Sequence, residues 1–193
     1  PSCPMKFRFL TNAFLLLLFC EGMAQDRTQA DQALLDKIET YKNESLDSVE
    51  QVFDSLMDHS NKTGNAKLQN VGLLKLGESY LLFNYYDLAD SAFNLIDTTL
   101  LDDVHAVELA LGVGKILNDK GESDLALDSY YKALDNSRKI GFEEIIPEIY
   151  TEIGIVLRAN NDLENTTKYF RYAISEAERQ GNTQLLVKVC NLM

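Results

Sequence analysis

The side chains best suited to chemistry in this chain are two histidines, three cysteines and a few acidic pairs, and their spacing joins none of them into a reactive set. His59 and His105 each lack a second histidine or cysteine at ligand spacing, so a metal site has too few donors. Both stand near predicted helix ends, where a cation or a surface loop is the ordinary occupant. Gly112-Val113-Gly114-Lys115 has the glycines and lysine of a phosphate loop. No glycine stands five residues before Gly114, however, and Ile116 takes the place of the Ser or Thr that would hold magnesium. Asp102-Asp103 and Glu143-Glu144 lie at junctions, where they serve better as first-turn helix charges than as acid–base pairs. G-x-S-x-G, H-E-x-x-H and C-x-x-C are absent. The sequence therefore predicts no enzyme, no metal and no cofactor.

What must be positioned is then a surface. The chain has 193 residues, 46% hydrophobic and 25% charged, the balance of a folded domain. Its formal net charge of −12 repels phosphate backbones and argues against nucleic acid as partner. From Met5 a basic start (Lys6, Arg8), an apolar run from Leu10 to Phe19 and the small-x-small site Gly22-Met23-Ala24 make the three regions of a secretory signal peptide. The apolar run is short for a membrane span, and Pro1 to Pro4 read as residues upstream of the true start. Leu17-Leu18-Phe19-Cys20 leaves a second reading, a lipoprotein acylated at Cys20, although Phe19 is bulky for such a site. Cleavage after Ala24 removes Cys3 and Cys20, and Cys190, alone in an apolar stretch, is expected in the core. Asn43, Asn61 and Asn165 match the short N-glycosylation pattern, which carries little weight in a chain of bacterial style.

Three glycines, Gly77, Gly114 and Gly154, stand 37 and 40 residues apart and align six columns. Three residues on are Tyr80, Leu117 and Leu157. Seven on are Asn84, Gly121 and Asn161, types that tolerate a left-handed turn. Twelve on are Ala89, Ala126 and Thr166; sixteen on, Phe93, Tyr130 and Phe170; nineteen on, Ile96, Ala133 and Ala173. Gly64, Gly141 and Gly181, each preceded two residues earlier by Lys62, Lys139 or Arg179, read as helix stops. The junction at Leu101-Asp102-Asp103 has no such glycine and must turn differently.

These columns resemble the tetratricopeptide repeat (TPR). The resemblance implies an all-α fold, an α-α superhelix (solenoid) of antiparallel helix pairs, each pair an A helix followed by a B helix. Small residues at Gly77 and Ala89 would let helices approach closely, with Tyr80 and Phe93 filling space between neighbours. The usual early Trp is replaced by Leu73, Ala110 and Tyr150, and the usual Pro at the end of the B helix is missing. The expected organisation is upstream residues and signal peptide over 1–24, a degenerate capping unit over 25–64 with Lys37 in the glycine column, and repeats over about 70–106, 107–146 and 147–186. A further repeat begins over 187–193, and the next glycine column would fall at residue 194, so the sequence is expected to be a piece of a longer protein.

In this family the A helices line a concave face, and the resemblance implies a groove formed by Leu74, Glu78, Leu81 and Leu82, then Glu108, Leu111, Lys115, Asn118 and Asp119, then Glu148, Thr151, Ile155, Arg158 and Ala159. A protein or peptide is the implied partner. The expected role is the exported sensory or interaction region of a bacterial regulator, with a free periplasmic or lipid-anchored assembly factor as the alternative and an enzyme domain beyond residue 193 as a third.

Overall fold

A computed structural model describes residues 27–193. The stretch expected to be a signal peptide, Cys20 included, lies outside the described residues. Those described are helical throughout, without a strand: α1 (27–41), α2 (Leu46–Thr63), α3 (Ala66–Leu82), α4 (Tyr86–Phe93), α5 (Asp103–Asp119), α6 (Ser123–Ile140), α7 (Ile146–Ala159), α8 (Leu163–Gln180) and α9 (Thr183–Leu192). Single 3-10 turns at Thr98–Leu100 and Glu143–Ile145 precede α5 and α7.

Local chemistry explains where each helix starts and stops. Side-chain oxygens of Ser45, Asn65, Asp102, Asp162 and Asn182 accept the N–H three residues on, satisfying donors that an opening turn leaves free. Asp102 thus caps α5 through the His105 N–H instead of forming an acid–base pair. The long helices α2, α6 and α8 end at Gly64, Gly141 and Gly181, with φ of 68°, 74° and 70°. Inside each pair the chain reverses at Asn84, Gly121 and Asn161, with φ of 62°, 79° and 61°, which is why that column holds only Asn and Gly. The junction without a glycine is where α4 stops after eight residues, at Phe93.

The helices form an all-α solenoid of antiparallel pairs, TPR-like in architecture: α3 with α4, α5 with α6, α7 with α8. Each B helix also packs on the next A helix, and successive A helices (α3, α5, α7, α9) approach one another directly. Successive B helices make no comparably close approach, so the A helices form the inner side of the stack.

The recurrent core contact is an aromatic ring set against a glycine. A Cβ at Gly77 would lie 2.2 Å from the Phe93 ring, one at Gly114 2.3 Å from Tyr130, and one at Gly154 2.4 Å from Phe170. The close neighbour is therefore a ring from the glycine's own B helix. Phe93 also meets Gly112 of the following unit, so this ring wedges two A helices. Gly112 and Gly114 are thus packing residues within α5, not a phosphate loop. Thr166 is buried in the alanine column, and its hydroxyl donates to the Asp162 carbonyl (2.7 Å).

Cys190 departs from expectation: it is exposed. Leu185 and Val189, four apart, turn inward on α9, and Cys190 stands about 100° further round the helix. Met193 is exposed as well.

Tyr130 is fully buried, and its hydroxyl has no hydrogen-bond partner among the described residues. Burial, with the Glu152 charge adding to it, holds the phenol well above the usual tyrosine range. The same column holds Phe93 and Phe170. Tyr130→Phe should therefore stabilise the fold by about 1 kcal/mol, whereas Gly154→Ala, which drives a methyl into Phe170, should cost about 1–3 kcal/mol. Urea unfolding of the two variants checks both signs. A destabilised Tyr130→Phe would mean that the hydroxyl is bonded in solution.

Candidate interaction groove

The inner face is built by α1, α3, α5, α7 and α9, whose polar side chains reach from one A helix to the next. Lys75 on α3 is held by Glu78 on its own helix and Glu108 on α5, both at 3.0 Å, with Glu39 on α1 at 3.5 Å. Glu39 also pairs with Lys42. One unit on, Lys115 on α5 donates to Glu148 on α7 (2.6 Å), and Glu152 on α7 accepts from Lys188 on α9 (3.1 Å). The result is a ladder of ion pairs running along the stack, each rung spanning neighbouring units.

The ladder's electrostatics follow from partial burial. Burial disfavours the Lys75 ammonium, but Glu78 and Glu108 outweigh it and raise its pKa. Lys115 behaves alike, with Glu148 and Glu152 as the opposing charges. Burial likewise works against the Glu148 charge, and Lys115 overcomes it, so this carboxyl sits below the usual range. Glu78 differs. Burial pushes it up, Lys75 pulls it down, Glu108 pushes it up again, and the balance is about 7. Lys75 thus stays charged, while Glu78, buried and close to Glu108, keeps its proton almost to neutrality.

Not every residue expected in the groove lines it. Leu74 is fully buried, as is Thr151, whose hydroxyl donates to the Pro147 carbonyl. Leu81 and Leu111 are core residues too, Leu81 packing in the cluster with Phe93 and Ile116. Leu74, Leu111 and Thr151 occupy one column, three residues before the glycines, and that column is buried in all three units. Ile155 is half-buried against the core. Glu78, Glu108, Lys115 and Glu148 stand in the ladder, Asn118 is half-exposed, and Asp119, Leu82 and Ala159 are exposed. Arg158 is exposed and donates to the Leu192 carbonyl at 2.7 Å.

Column mapping missed Lys75, Glu152 and Lys188. The signal was present: Lys75 to Glu108 and Lys115 to Glu148 are both opposite charges 33 residues apart, one repeat less a helical turn. Tyr86 packs beneath the groove, while Tyr85 beside it is exposed. The histidines are engaged locally, His59 with Asp31 (2.8 Å) and His105 with Asp102 (2.6 Å). Among the described residues, no three His, Cys, Asp or Glu side chains converge as a metal would require, and no helix is long and apolar enough to cross a membrane.

No family model matches the chain, and no curated protein does either. Among solved structures it is similar to BtubC (BKLC) from P. vanneervenii, with 15% identity and a TM-score of 0.49 over 81% of this chain and 63% of that one. It is also similar to MamA, with 19% identity and a TM-score of 0.45 over 84% of this chain and 95% of the other. The chain thus spans less than two thirds of the BtubC chain.

The raised Glu78 carboxyl has a definite sign in stability. The folded state holds this proton to about pH 7, against an ordinary value of 4.5. Its contribution is therefore complete below pH 4.5 and lost as pH rises through 7. Glu78→Gln cannot ionise, so relative to the parent it should be about 2 kcal/mol more favourable at pH 8 than at pH 5. Urea unfolding at both pH values measures this, and an equal difference at the two would mean that Glu78 ionises as freely as in the unfolded chain.

Proposed function

We infer that this chain is an exported scaffold that binds a protein or peptide along its inner face and carries no chemistry of its own. The observation that carries this reading is the ladder itself. The rungs tie α1, α3, α5, α7 and α9 in register and present an extended, open wall, edged by Leu82, Asp119 and Arg158. A surface of this kind suits an extended polypeptide better than a small molecule. A photo-crosslinking residue placed at Asp119 or Arg158 should yield discrete protein adducts in a bacterial envelope extract, and one placed at Asp58, exposed on α2 and away from the groove, should not. Equal adducts from all three positions, or none from the first two, would overturn the groove.

The finer reading is the sensory or interaction region of a longer bacterial signalling protein, supported by the leader-like stretch from Met5 to Ala24 and by the resemblance of the repeat columns to TPR proteins. It expects the coding sequence to continue past Met193 into a membrane span and an output domain. A stop codon after one further helix pair would replace it with a free periplasmic or lipid-anchored assembly factor.

A further inference from the structure

The outer side of the stack holds a feature that the groove does not use. Four tyrosines meet between the B helices: Tyr131 from α6, Tyr169 and Tyr172 from α8, and Tyr150 from α7 beneath them. Their ring centroids form a continuous chain, Tyr131 to Tyr169 at 6.3 Å, Tyr169 to Tyr150 at 5.9 Å, Tyr150 to Tyr172 at 5.4 Å and Tyr172 back to Tyr169 at 5.9 Å. Tyr150 is a nearly buried floor, whereas Tyr131 and Tyr172 are 40% and 43% exposed. Two exposed cations flank the cluster. The Arg138 guanidinium lies 5.9 Å from the Tyr150 centroid and donates to its hydroxyl, and the Lys168 ammonium lies 6.0 Å from the Tyr172 centroid.

The charge accounting separates this patch from the groove. On the inner face Lys75, Lys115 and Lys188 each rest on a carboxylate. Among the described residues, Arg138 and Lys168 make no ion pair, in a chain whose net charge is −12. A cation over a ring keeps its outward N–H donors free for an anion. Tyrosine and arginine together are also the residues that dominate binding energy at protein interfaces.

We propose that this tyrosine patch is a second docking surface, and that it takes a short acidic segment of a partner protein, its carboxylates on Arg138 and Lys168 and its apolar side chains on Tyr131 and Tyr172. Charge complementarity decides the occupant. Nucleic acid is disfavoured by the acidic whole, whose field acts at longer range than two cations. A sugar needs an open aromatic face, and Lys168 already covers one on Tyr172.

The probe is a rhodamine-labelled peptide of alternating Asp, Leu, Glu and Pro, compared with its Asn and Gln counterpart by fluorescence anisotropy on the full chain. The acidic peptide should bind at least tenfold more tightly. Lys168→Gln, which removes no hydrogen bond, should weaken it several-fold with the unfolding midpoint unchanged, and adding Arg138→Gln should abolish the preference. The groove variant Arg158→Glu should bind as the parent does, so the two surfaces fail or succeed separately. The proposal falls if the acidic peptide does not bind, if its neutral counterpart binds equally, or if Lys168→Gln has no effect. It also falls if heparin or anionic lipid vesicles compete through the same two residues more strongly than the peptide.

Discussion

The structure depends on one contact, the edge of an aromatic ring set against a helical glycine. Phe93, Tyr130 and Phe170 sit where a Cβ on Gly77, Gly114 or Gly154 would intrude by more than an ångström on ordinary contact distance. A glycine inside a helix costs about 1 kcal/mol in propensity. The ring's burial, worth about 1.5–3 kcal/mol, offsets that cost and brings the two helices of a unit close together. Phe93 goes further by reaching Gly112 on the next A helix, so one ring fixes both the pairing within a unit and the step to its neighbour. The stack is thus set by ring placement, and the small residues at 89, 126 and 166 follow because only a small side chain, Ala or Thr, fits between helices drawn so near.

The ion ladder has a different role. Exposed ion pairs contribute about 0–1 kcal/mol each, too little to hold the stack together. Their partial burial matters because of what misalignment would do. A slip of one A helix against the next would leave Lys75, Lys115 or Glu152 half-buried without a partner, a cost well above the gain from the pair itself. Packing supplies the affinity between units, and the ladder supplies the register. This division also explains the excess acid around Lys75. Three carboxylates meet there because rungs from α1, α3 and α5 converge, and burial, with the Glu108 charge adding to it, keeps Glu78 protonated to near neutrality.

Much of the fold was legible because repetition makes weak signals add. A single Gly or Asn says little, but Asn84, Gly121 and Asn161 in one column specify a left-handed residue, and all three adopt it. The identity of the glycine's partner was less legible, since a column gives spacing along the chain and not which of two adjoining helices supplies the ring. The groove was the least legible part. Leu74, Leu111 and Thr151 share one column, three residues before the glycines, and all three are buried, so that whole column packs instead of lining the groove. Leu81 is buried where Asn118 and Arg158, in its own column, are open, so the same column can face the core in one unit and solvent in another. Cys190 shows the same limit on a smaller scale: an apolar neighbourhood predicts burial, but the helical angle from Val189 turns it outward.

The two faces differ for a reason that traces back to α4. A B helix that runs on past its aromatic column, as α6 and α8 do for 18 residues each, carries side chains that overhang the gap to the next B helix. Tyr131, Arg138 and Tyr172 all lie beyond the column, and with Tyr169 just before it they roof the gap between α6 and α8. In the first full unit α4 ends at Phe93, and the corresponding Asn94 and Leu95 stand in a turn. No tyrosine cluster forms there, and that junction is tied instead by Lys120 and Asp90 at 2.7 Å. The shortened helix therefore decides that the inner wall runs the length of the stack while the aromatic patch occupies a single step. A partner reading both faces would meet a long, charge-balanced surface on one side and a compact, cation-flanked one on the other.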